Sequence, residues 1–242
     1  MKTLIKNGLV VDPANLVQTH LNLLLEDGKI VAVTEEEPEA DRVIDADGKV
    51  VAPGFIDIHM HEDQVKDDKI QFCIFDAMLR MGVTTAVGGN CGINVYDPVK
   101  YLDLLERDGA PVNVMMFAGH QYYREAAGAL DKYSPVTEEQ RKMMKKGLEE
   151  ALEAGCVGIS YGLRYVPGTG REEFLDTASC CQKEHRLISA HVRDDEERVF
   201  GAVAEVAEAG KIFDIPVEIS HIGSMAGFGQ MEQLLKQIDG YR

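Results

Sequence analysis

Long apolar runs are missing from this sequence, which contains no stretch of 18 consecutive apolar residues. A helix needs about 20 apolar residues to cross the hydrocarbon core of a bilayer, so no membrane span is predicted. The first residues, Met1–Gly8, also lack a long apolar segment followed by small residues at a cleavage position. We therefore expect no secretory leader, and the sequence favours a cytoplasmic location.

Positive charge is scarce. The chain has 25 lysine and arginine residues against 41 aspartate and glutamate residues, which gives a formal net charge of −16. Nucleic acid and anionic lipid headgroups carry dense negative charge, so a surface of this sign repels both. The composition therefore excludes nucleic-acid binding and membrane-surface binding as expected functions.

Cysteine is also sparse, and its count is odd. Five cysteines stand at irregular spacings, at positions 73, 91, 156, 180 and 181. A disulfide framework uses an even number of cysteines in a chain with a secretory leader. We therefore expect reduced thiols, as in cytoplasmic proteins.

The first 52 residues have the pattern of a small all-β module. Two turn signals, Glu26-Asp27-Gly28 and Asp45-Ala46-Asp47-Gly48, each separate two short apolar segments. The predicted strands are Leu4–Val11, Leu21–Leu25, Lys29–Thr34, Arg42–Ile44 and Lys49–Ala52. We interpret residues 1–52 as the N-terminal strands of a small β-sandwich.

After Pro53-Gly54, short apolar runs alternate with helical stretches. The runs are Phe55–Ile58, Thr84–Val87, Val112–Phe117, Val157–Ser160, Leu187–Ala190 and Val217–Ser220. The helical stretches are Ile70–Met81, Val99–Arg107, Glu138–Ala154, Glu172–His185, Glu196–Ala209 and Gln230–Ile238. Thr137 and Gln140 have the spacing of a capping box before the third of these helices. This alternation predicts an α/β fold with a parallel sheet.

About six βα units can be counted in residues 53–242. A (β/α)8 TIM barrel needs eight strands to close, so the pattern predicts an incomplete barrel that lacks the last two strands. Six strands in an open arc would leave unpaired edges and an exposed apolar face. We therefore expect a split-gene product, a truncation or the ordered part of a longer protein.

Five of the seven histidines follow predicted barrel strands, at the rim where such barrels carry their active sites. His59 and His61 come after the first of these strands, and residues i and i+2 of a strand point to the same side. His191 and His221 follow the fifth and sixth strands. An isolated histidine at such a place is as often structural as functional, but several at equivalent places predict a metal site.

Cys91 follows the second barrel strand, between glycines that permit a tight turn. A small buried cysteine is common in cores, which is the alternative interpretation. Imidazole nitrogen and thiolate sulfur are donors that suit zinc. The sequence therefore predicts a site for one or two Zn²⁺ ions, with His59, His61, Cys91, His191 and His221 as ligands.

Five further polar residues lie near the same rim. Tyr165 is a candidate catalytic donor to a developing oxyanion. Arg164 or Arg193 could hold a substrate carboxylate, because guanidinium binds carboxylate with two parallel hydrogen bonds; a solvated rim charge is the alternative for each. His120 is a candidate substrate contact or a structural group. Asp57 is interpreted as a supporting carboxylate and not a ligand.

At this point the motifs resemble the N-acyl-D-amino-acid deacylase (D-aminoacylase) branch of the amidohydrolase superfamily. The matching pieces span most of the chain: Pro53 to His61, Gly89-Asn90-Cys91-Gly92, Gly119-His120 with Arg124, Gly162 to Tyr165 with Pro167-Gly168, His191 with Arg193, and Ile219-Ser220-His221. Gly-Asn-Cys-Gly discriminates best, because most other amidohydrolases use a carboxylated lysine near the fourth strand.

The resemblance implies zinc-dependent hydrolysis of the amide bond of a small N-acyl-D-amino acid. It implies a tighter zinc at Cys91, His191 and His221, and a weaker position at Cys91 with His59 and His61. It puts Tyr165 and Arg193 near substrate. The catalytic aspartate of the branch lies after the eighth strand, which this chain lacks, so a complementing C-terminal segment or a homo-oligomer is the expected partner.

Two alternatives stay open. One is another amidohydrolase, such as a dipeptidase or a cyclic-amide hydrolase, with the same metal site. The other is an inactive zinc-binding remnant or partner subunit, which the absent eighth strand favours for the isolated chain.

Overall fold

The computed structural model describes all 242 residues, Met1–Arg242. The chain forms two compact units, Met1–Phe55 and Ile56–Arg242. No helix combines the length and the apolar character that crossing a bilayer requires.

The first unit is a five-stranded mixed sheet. Its strands are β1 (Lys2–Asp12), β2 (Val17–Glu26), β3 (Lys29–Thr34), β4 (Arg42–Asp45) and β5 (Val50–Val51). The order is β3-β2-β1-β4, with β5 also paired to β1; β4 and β5 run parallel to β1, while β2 is antiparallel to it. The predicted turn between β2 and β3 has positive φ at Asp27 (50°) and Gly28 (79°), as a tight hairpin requires. A second sheet that would make this unit a sandwich stays a prediction.

The second unit is built on a curled parallel sheet of six strands in the order β13-β12-β11-β10-β9-β6. These strands are β6 (Phe55–Asp57), β9 (Val83–Gly88), β10 (Asn113–Gly119), β11 (Gly158–Gly162), β12 (Leu187–His191) and β13 (Val217–Ile219). A small hairpin, β7 (Val65–Lys66) and β8 (Lys69–Ile70), follows β6. Six strands in sequential order confirm the predicted fold class, an incomplete α/β barrel.

Eight helices follow or connect these strands. They are α1 (Ile74–Arg80), α2 (Pro98–Asp108), α3 (His120–Ala126), α4 (Glu138–Glu153), α5 (Arg171–Ala178), α6 (Val199–Phe213), α7 (Ile222–Met225) and α8 (Met231–Asp239). Strand residues such as Ile159 and Ile188 are fully buried in one core with helix residues such as Leu148 and Val203. The predicted capping box at α4 is present, because Thr137 and Gln140 bond each other's backbone amides.

The first helix begins four residues later than its apolar pattern predicted, at Ile74 instead of Ile70. Ile70 belongs to β8, and the start of α1 is fixed by Asp63, a side chain distant in sequence. The buried Asp63 carboxylate accepts hydrogen bonds from the amides of Cys73 (3.1 Å), Ile74 (2.8 Å) and Phe75 (3.0 Å). It satisfies amides at the helix N-terminus that have no partner within the helix, so it acts as the cap.

Two other helix predictions needed correction, and two short helices, α3 and α7, were not predicted. The helix predicted to reach His185 ends as α5 at Ala178 and continues only as a 3-10 turn, and His185 has a positive φ (50°) that no helix accommodates. The helix predicted from Glu196 begins with a 3-10 turn and becomes α6 at Val199. Helix α3 was not predicted, because two turns are too short to show a helical period.

We expect Asp63→Ala to destabilise the protein by about 1–3 kcal/mol, since three backbone amides, one buried and two partly buried, lose a charged acceptor. Urea unfolding monitored by circular dichroism measures this change. The exposed Asp103 on α2 provides the control, and Asp103→Ala is expected to stay within about 0.5 kcal/mol of the parent chain. Equal effects of the two substitutions would contradict the capping role of Asp63.

Candidate metal centre

The five predicted ligands all lie at the same edge of the six-stranded sheet. His59 and His61 follow β6, Cys91 follows β9, His191 ends β12, and His221 follows β13. Parallel strands place their carboxyl ends at one edge, so residues up to 162 positions apart in the sequence can meet there. The structure brings their donor atoms together in two overlapping groups.

Cys91 belongs to both groups. In one group, Cys91 joins His59 and His61; in the other, it joins His191 and His221, and within each group all ligand atoms lie within 4.8 Å of one another. The Cys91 Sγ atom lies 3.5 Å from His59 Nε2, 3.7 Å from His221 Nε2 and 3.9 Å from His191 Nδ1. One sulfur atom is thus the common neighbour of three imidazoles.

These separations fit a shared cation. A zinc ion with tetrahedral bonds of about 2.3 Å to sulfur and about 2.0–2.1 Å to nitrogen holds two such ligands roughly 3.6 Å apart. The observed sulfur–nitrogen distances of 3.5–3.9 Å lie close to that value, on both sides of it. In addition, the second ring nitrogen of His59, Nδ1, is buried without a hydrogen-bond partner. The donor set therefore fits a metal centre of one or two ions.

A strained turn presents the Cys91 thiol. Gly89 (φ 75°), Cys91 (φ 57°) and Gly92 (φ 78°) all have left-handed backbone conformations. A Cβ atom on Gly92 would lie 2.9 Å from the amide nitrogen of Gly162, so only glycine fits there without movement of the backbone. The Ser160 hydroxyl of β11 accepts the Gly92 amide at 3.0 Å and bonds the Gly89 carbonyl. The turn is thus tied to the neighbouring strand on both sides of Cys91.

Glu62 is a site residue that the sequence patterns did not reveal. Its buried carboxylate accepts the amides of Gly89 (2.8 Å) and Val95 (2.9 Å), which lie before and after the Cys91 turn. Because Glu62 directly follows His61, it joins the two ligand-bearing segments of β6 and β9. The only sequence signal was a charged residue next to the His-x-His pair, and that placement alone does not reveal burial.

Electrostatics keep three of the donors uncharged in the metal-free protein. Burial, with a smaller contribution from His221, lowers the pKa of His59 to about 4, and the same causes lower the pKa of His191 to about 4. Burial, reinforced by the charge of Glu218, raises the pKa of the Cys91 thiol to about 11. The imidazoles of His59 and His191 are therefore neutral near pH 7, as metal ligation requires, while the Cys91 thiol must lose a proton when it binds a metal.

Tyr165 lies against one of the ligands. Its hydroxyl oxygen is 3.0 Å from His191 Nδ1, and the two ring centroids are 4.4 Å apart. Burial raises the pKa of this phenol, with a smaller contribution from Cys91, so the hydroxyl keeps its proton at neutral pH. Tyr165 can therefore donate a hydrogen bond within the site, while its side chain stays partly exposed.

The two arginines have different surroundings. Arg193 bonds the Glu205 carboxylate through Nε (3.0 Å) and Nη2 (2.8 Å), and it also donates to the carbonyl of Thr169 (2.8 Å). Arg164 has one ion pair, with Asp195 at 3.1 Å, in which both side chains are about two-fifths exposed. Arg193 is thus fully engaged in holding the segment near Thr169, whereas Arg164 is free to exchange its partner.

His120 is buried in an ionic cluster. Its Nε2 atom lies 3.0 Å from Glu173 Oε1, which also accepts the Arg124 guanidinium at 3.1 Å. Arg124 further donates to the carbonyls of Asp131 and Ser134. Of the two interpretations of His120, these contacts favour the structural one. Asp57 accepts the His59 amide at 2.9 Å, which agrees with a supporting role.

Histidine and cysteine donors at the carboxyl edge of a curled six-stranded parallel sheet could hold a metal ion at the edge where α/β barrels carry their active sites. Comparison with known proteins agrees with it. The model of the amidohydrolase family matches residues 42–161. The D-aminoacylase of Alcaligenes xylosoxydans xylosoxydans is 30% identical over 98% of this chain and 54% of its own length.

Two solved structures are similar over nearly the whole chain. A D-aminoacylase structure described by its binuclear metal centre has a TM-score of 0.87 and 27% identity, covering 99% of this chain and 56% of that one. The N-acyl-D-glutamate deacylase of Bordetella bronchiseptica, complexed with zinc and a phosphonate inhibitor, has a TM-score of 0.82 and 28% identity over the same shares.

The chain belongs to the amidohydrolase family and matches its D-aminoacylase-type members over nearly its whole length. It spans about half the length of the curated relatives it matches. The resemblance given by the sequence motifs is thereby confirmed.

The depressed pKa values of His59 and His191 predict an acid-sensitive metal-free protein. Both rings stay neutral in the folded state down to about pH 4, whereas unfolded histidines bind protons below about pH 6.5. The unfolded state therefore takes up more protons in that window, and stability falls as the pH drops from about 6.5 to about 4. Urea midpoints measured with chelator at several pH values test this expectation. The His59→Asn/His191→Asn double variant is expected to show a flatter dependence, and an unchanged slope would contradict it.

Zinc binding near pH 7 is expected to release about one proton from Cys91, because a thiol with a pKa of about 11 is protonated before it binds. Calorimetric titrations in buffers of different ionisation enthalpy count the released protons. Cys91→Ala is expected to release about one proton fewer, and an unchanged count would remove Cys91 from the ligand set.

Proposed function

We propose that this chain carries the zinc site of a deacylase that hydrolyses the amide bond of N-acyl-D-amino acids. The observation that supports it most is Cys91 shared between two histidine pairs, in a chain whose relatives include D-aminoacylase and N-acyl-D-glutamate deacylase. The substrate partner in this proposal is a small N-acyl amino acid.

In this proposal, Cys91, His191 and His221 hold the tighter ion, and His59 and His61 join Cys91 at a second, weaker position. When bound, zinc at such a site supplies Lewis acidity toward water and toward a carbonyl oxygen. The neutral imidazoles of His59 and His191 contribute their nitrogen lone pairs without first losing a proton.

The polar residues of the rim orient the substrate. Tyr165, with its protonated phenol beside His191, donates a hydrogen bond to the oxygen on which negative charge develops. Arg164 binds the substrate carboxylate by exchanging its exposed partner Asp195, since an exposed ion pair contributes at most about 1 kcal/mol. Arg193 acts on the substrate indirectly. It donates a hydrogen bond to the carbonyl of Thr169 and so positions the segment that follows Tyr165.

Proton transfer to the leaving amine is assigned to an aspartate of a complementing C-terminal segment. The chain spans about half of the relatives' length, which supports a division of the active site between the two parts. The chain alone is then expected to bind zinc without turnover, and the completed enzyme to release a free D-amino acid.

The test compares the two cysteine variants Cys91→Ala and Cys73→Ala. Cys73 is exposed and lies outside the donor groups, so its variant is expected to keep zinc content and activity. Cys91→Ala is expected to lose the tighter zinc ion, seen by elemental analysis after dialysis. With the C-terminal half of a D-aminoacylase supplied in trans, it is also expected to lose at least about 100-fold in amine release from N-acetyl-D-amino acids. Full activity of Cys91→Ala would rule out this metal site.

A substrate panel tests the reaction class. The proposal expects turnover of N-acetyl-D-amino acids over their L enantiomers, dipeptides and cyclic amides such as dihydroorotate. Preference for a dipeptide or a cyclic amide, with zinc bound in the same way, would keep the metal centre and replace the proposed substrate.

A further inference from the structure

Asn90, the residue before Cys91, is fully buried and uses its whole side-chain amide. Its Nδ2 atom donates to the carbonyls of Ile58 (3.1 Å), Met60 (3.3 Å) and Val87 (2.8 Å). Ile58 and Met60 stand on either side of His59, and Val87 lies in β9. One amide group therefore joins the backbone that carries His59 to the strand that leads to Cys91.

The carbonyl oxygen of Asn90 continues this connection to the other ligands. It accepts the hydroxyl of Ser189 at 3.1 Å, and Ser189 stands two residues before His191 in β12. The Ser189 hydroxyl lies 3.1 Å from the hydroxyl of Ser220, which directly precedes His221. Both serines also contact the Glu218 carboxylate, at 2.7 Å and 2.8 Å.

These contacts form a continuous polar network, the Asn90 network, made of Asn90, Ser189, Ser220 and Glu218. Its members and the backbone groups they contact lie within two residues of all five metal ligands. Two of these ligands, Cys91 (φ 57°) and His221 (φ 37°), have left-handed backbone conformations, which residues other than glycine rarely adopt. Such conformations are strained and persist where surrounding contacts hold them. The network supplies contacts of that kind next to both residues.

We propose that Asn90 is a positioning residue for the metal centre, which holds the ligands of β6, β9, β12 and β13 in register before metal binds. This inference rests on the metal centre proposed above. The amide is required because its nitrogen faces three carbonyl oxygens while its oxygen faces a hydroxyl donor. A carboxylate of the same shape at position 90 would put oxygen against carbonyl oxygens and lose all three donated bonds.

Asn90→Asp therefore separates positioning from simple electrostatics. A new negative charge beside the site attracts a cation, so electrostatics alone predicts tighter zinc binding. Positioning predicts zinc binding weaker by about 10–100-fold, the effect typical of groups that orient metal ligands. The probe is zinc alone, titrated into the metal-free full chain against a competing chelator.

Cobalt substitution supplies a second measurement that a loss of stability does not mimic. With Co²⁺ in the site, the thiolate-to-cobalt and d–d absorption bands report the distances and angles of the ligands. We expect Asn90→Asp to shift these bands or lower their intensity at saturating Co²⁺. Spectra identical to those of the parent chain would contradict the proposal.

The matched control is Asn22→Asp in the N-terminal unit. Asn22 is also buried, its amide nitrogen donates to the carbonyls of Glu35 (3.3 Å) and Glu36 (2.9 Å), and its oxygen accepts the Asn7 amide. The same loss of amide donors is expected to leave zinc affinity and cobalt spectra unchanged. An equal loss of zinc affinity in both variants would mean that Asn90→Asp acts through general destabilisation, and the positioning role would be wrong.

Ser189→Ala keeps the test decisive if Asn90→Asp fails to fold. It removes the hydroxyl between Asn90 and Ser220 while Asn90 keeps its donated bonds, and we expect a smaller loss, about 3–10-fold in zinc affinity. Unchanged affinity in every folded network variant would overturn the proposal. A parent chain that binds no zinc would overturn both this proposal and the proposed function, whereas zinc binding without deacylation would overturn the function alone.

Discussion

The arrangement of the candidate metal centre depends on the contacts of a single sulfur atom with three imidazoles. Cys91 Sγ has His59, His191 and His221 as neighbours within 3.9 Å, and these residues come from three other strand ends. Burial keeps Cys91, His59 and His191 neutral, which lowers the cost of burying these donors together without an ion. A thiol common to two donor groups also explains how one edge of a sheet offers one or two metal positions.

Much of the precision in this part of the molecule comes from buried polar side chains that bond backbone groups far away in the sequence. Asp63 fixes the start of α1, Glu62 fixes both ends of the Cys91 turn, and Asn90 joins the segments before and after His59 to β9. Each of these residues is more than nine-tenths buried. A buried acceptor or donor without its partner costs about 1–3 kcal/mol, so each one fixes a relative position of two segments.

The same principle applies to the cationic side chains. Arg193 and Arg124 each bind a carboxylate and backbone carbonyls, so they hold loops together, and little of either guanidinium is left for a substrate. Arg164 has one exposed partner and stays available. A substrate-binding role therefore fits the arginine with the fewest commitments, which is a property of the folded state and not of the residue type.

The sequence by itself determined the strand–helix order, the fold class, the capping box at Thr137 and the placement of five donors after strands, because these depend on local pattern and on the parallel topology. Only the tertiary structure decided that Cys91 Sγ lies within 3.9 Å of three imidazoles, that α1 starts at Asp63's carboxylate, and that Arg193 pairs with Glu205. Those outcomes depend on contacts between residues 10 to 130 positions apart, and neither composition nor periodicity encodes which distant side chain reaches a given backbone group.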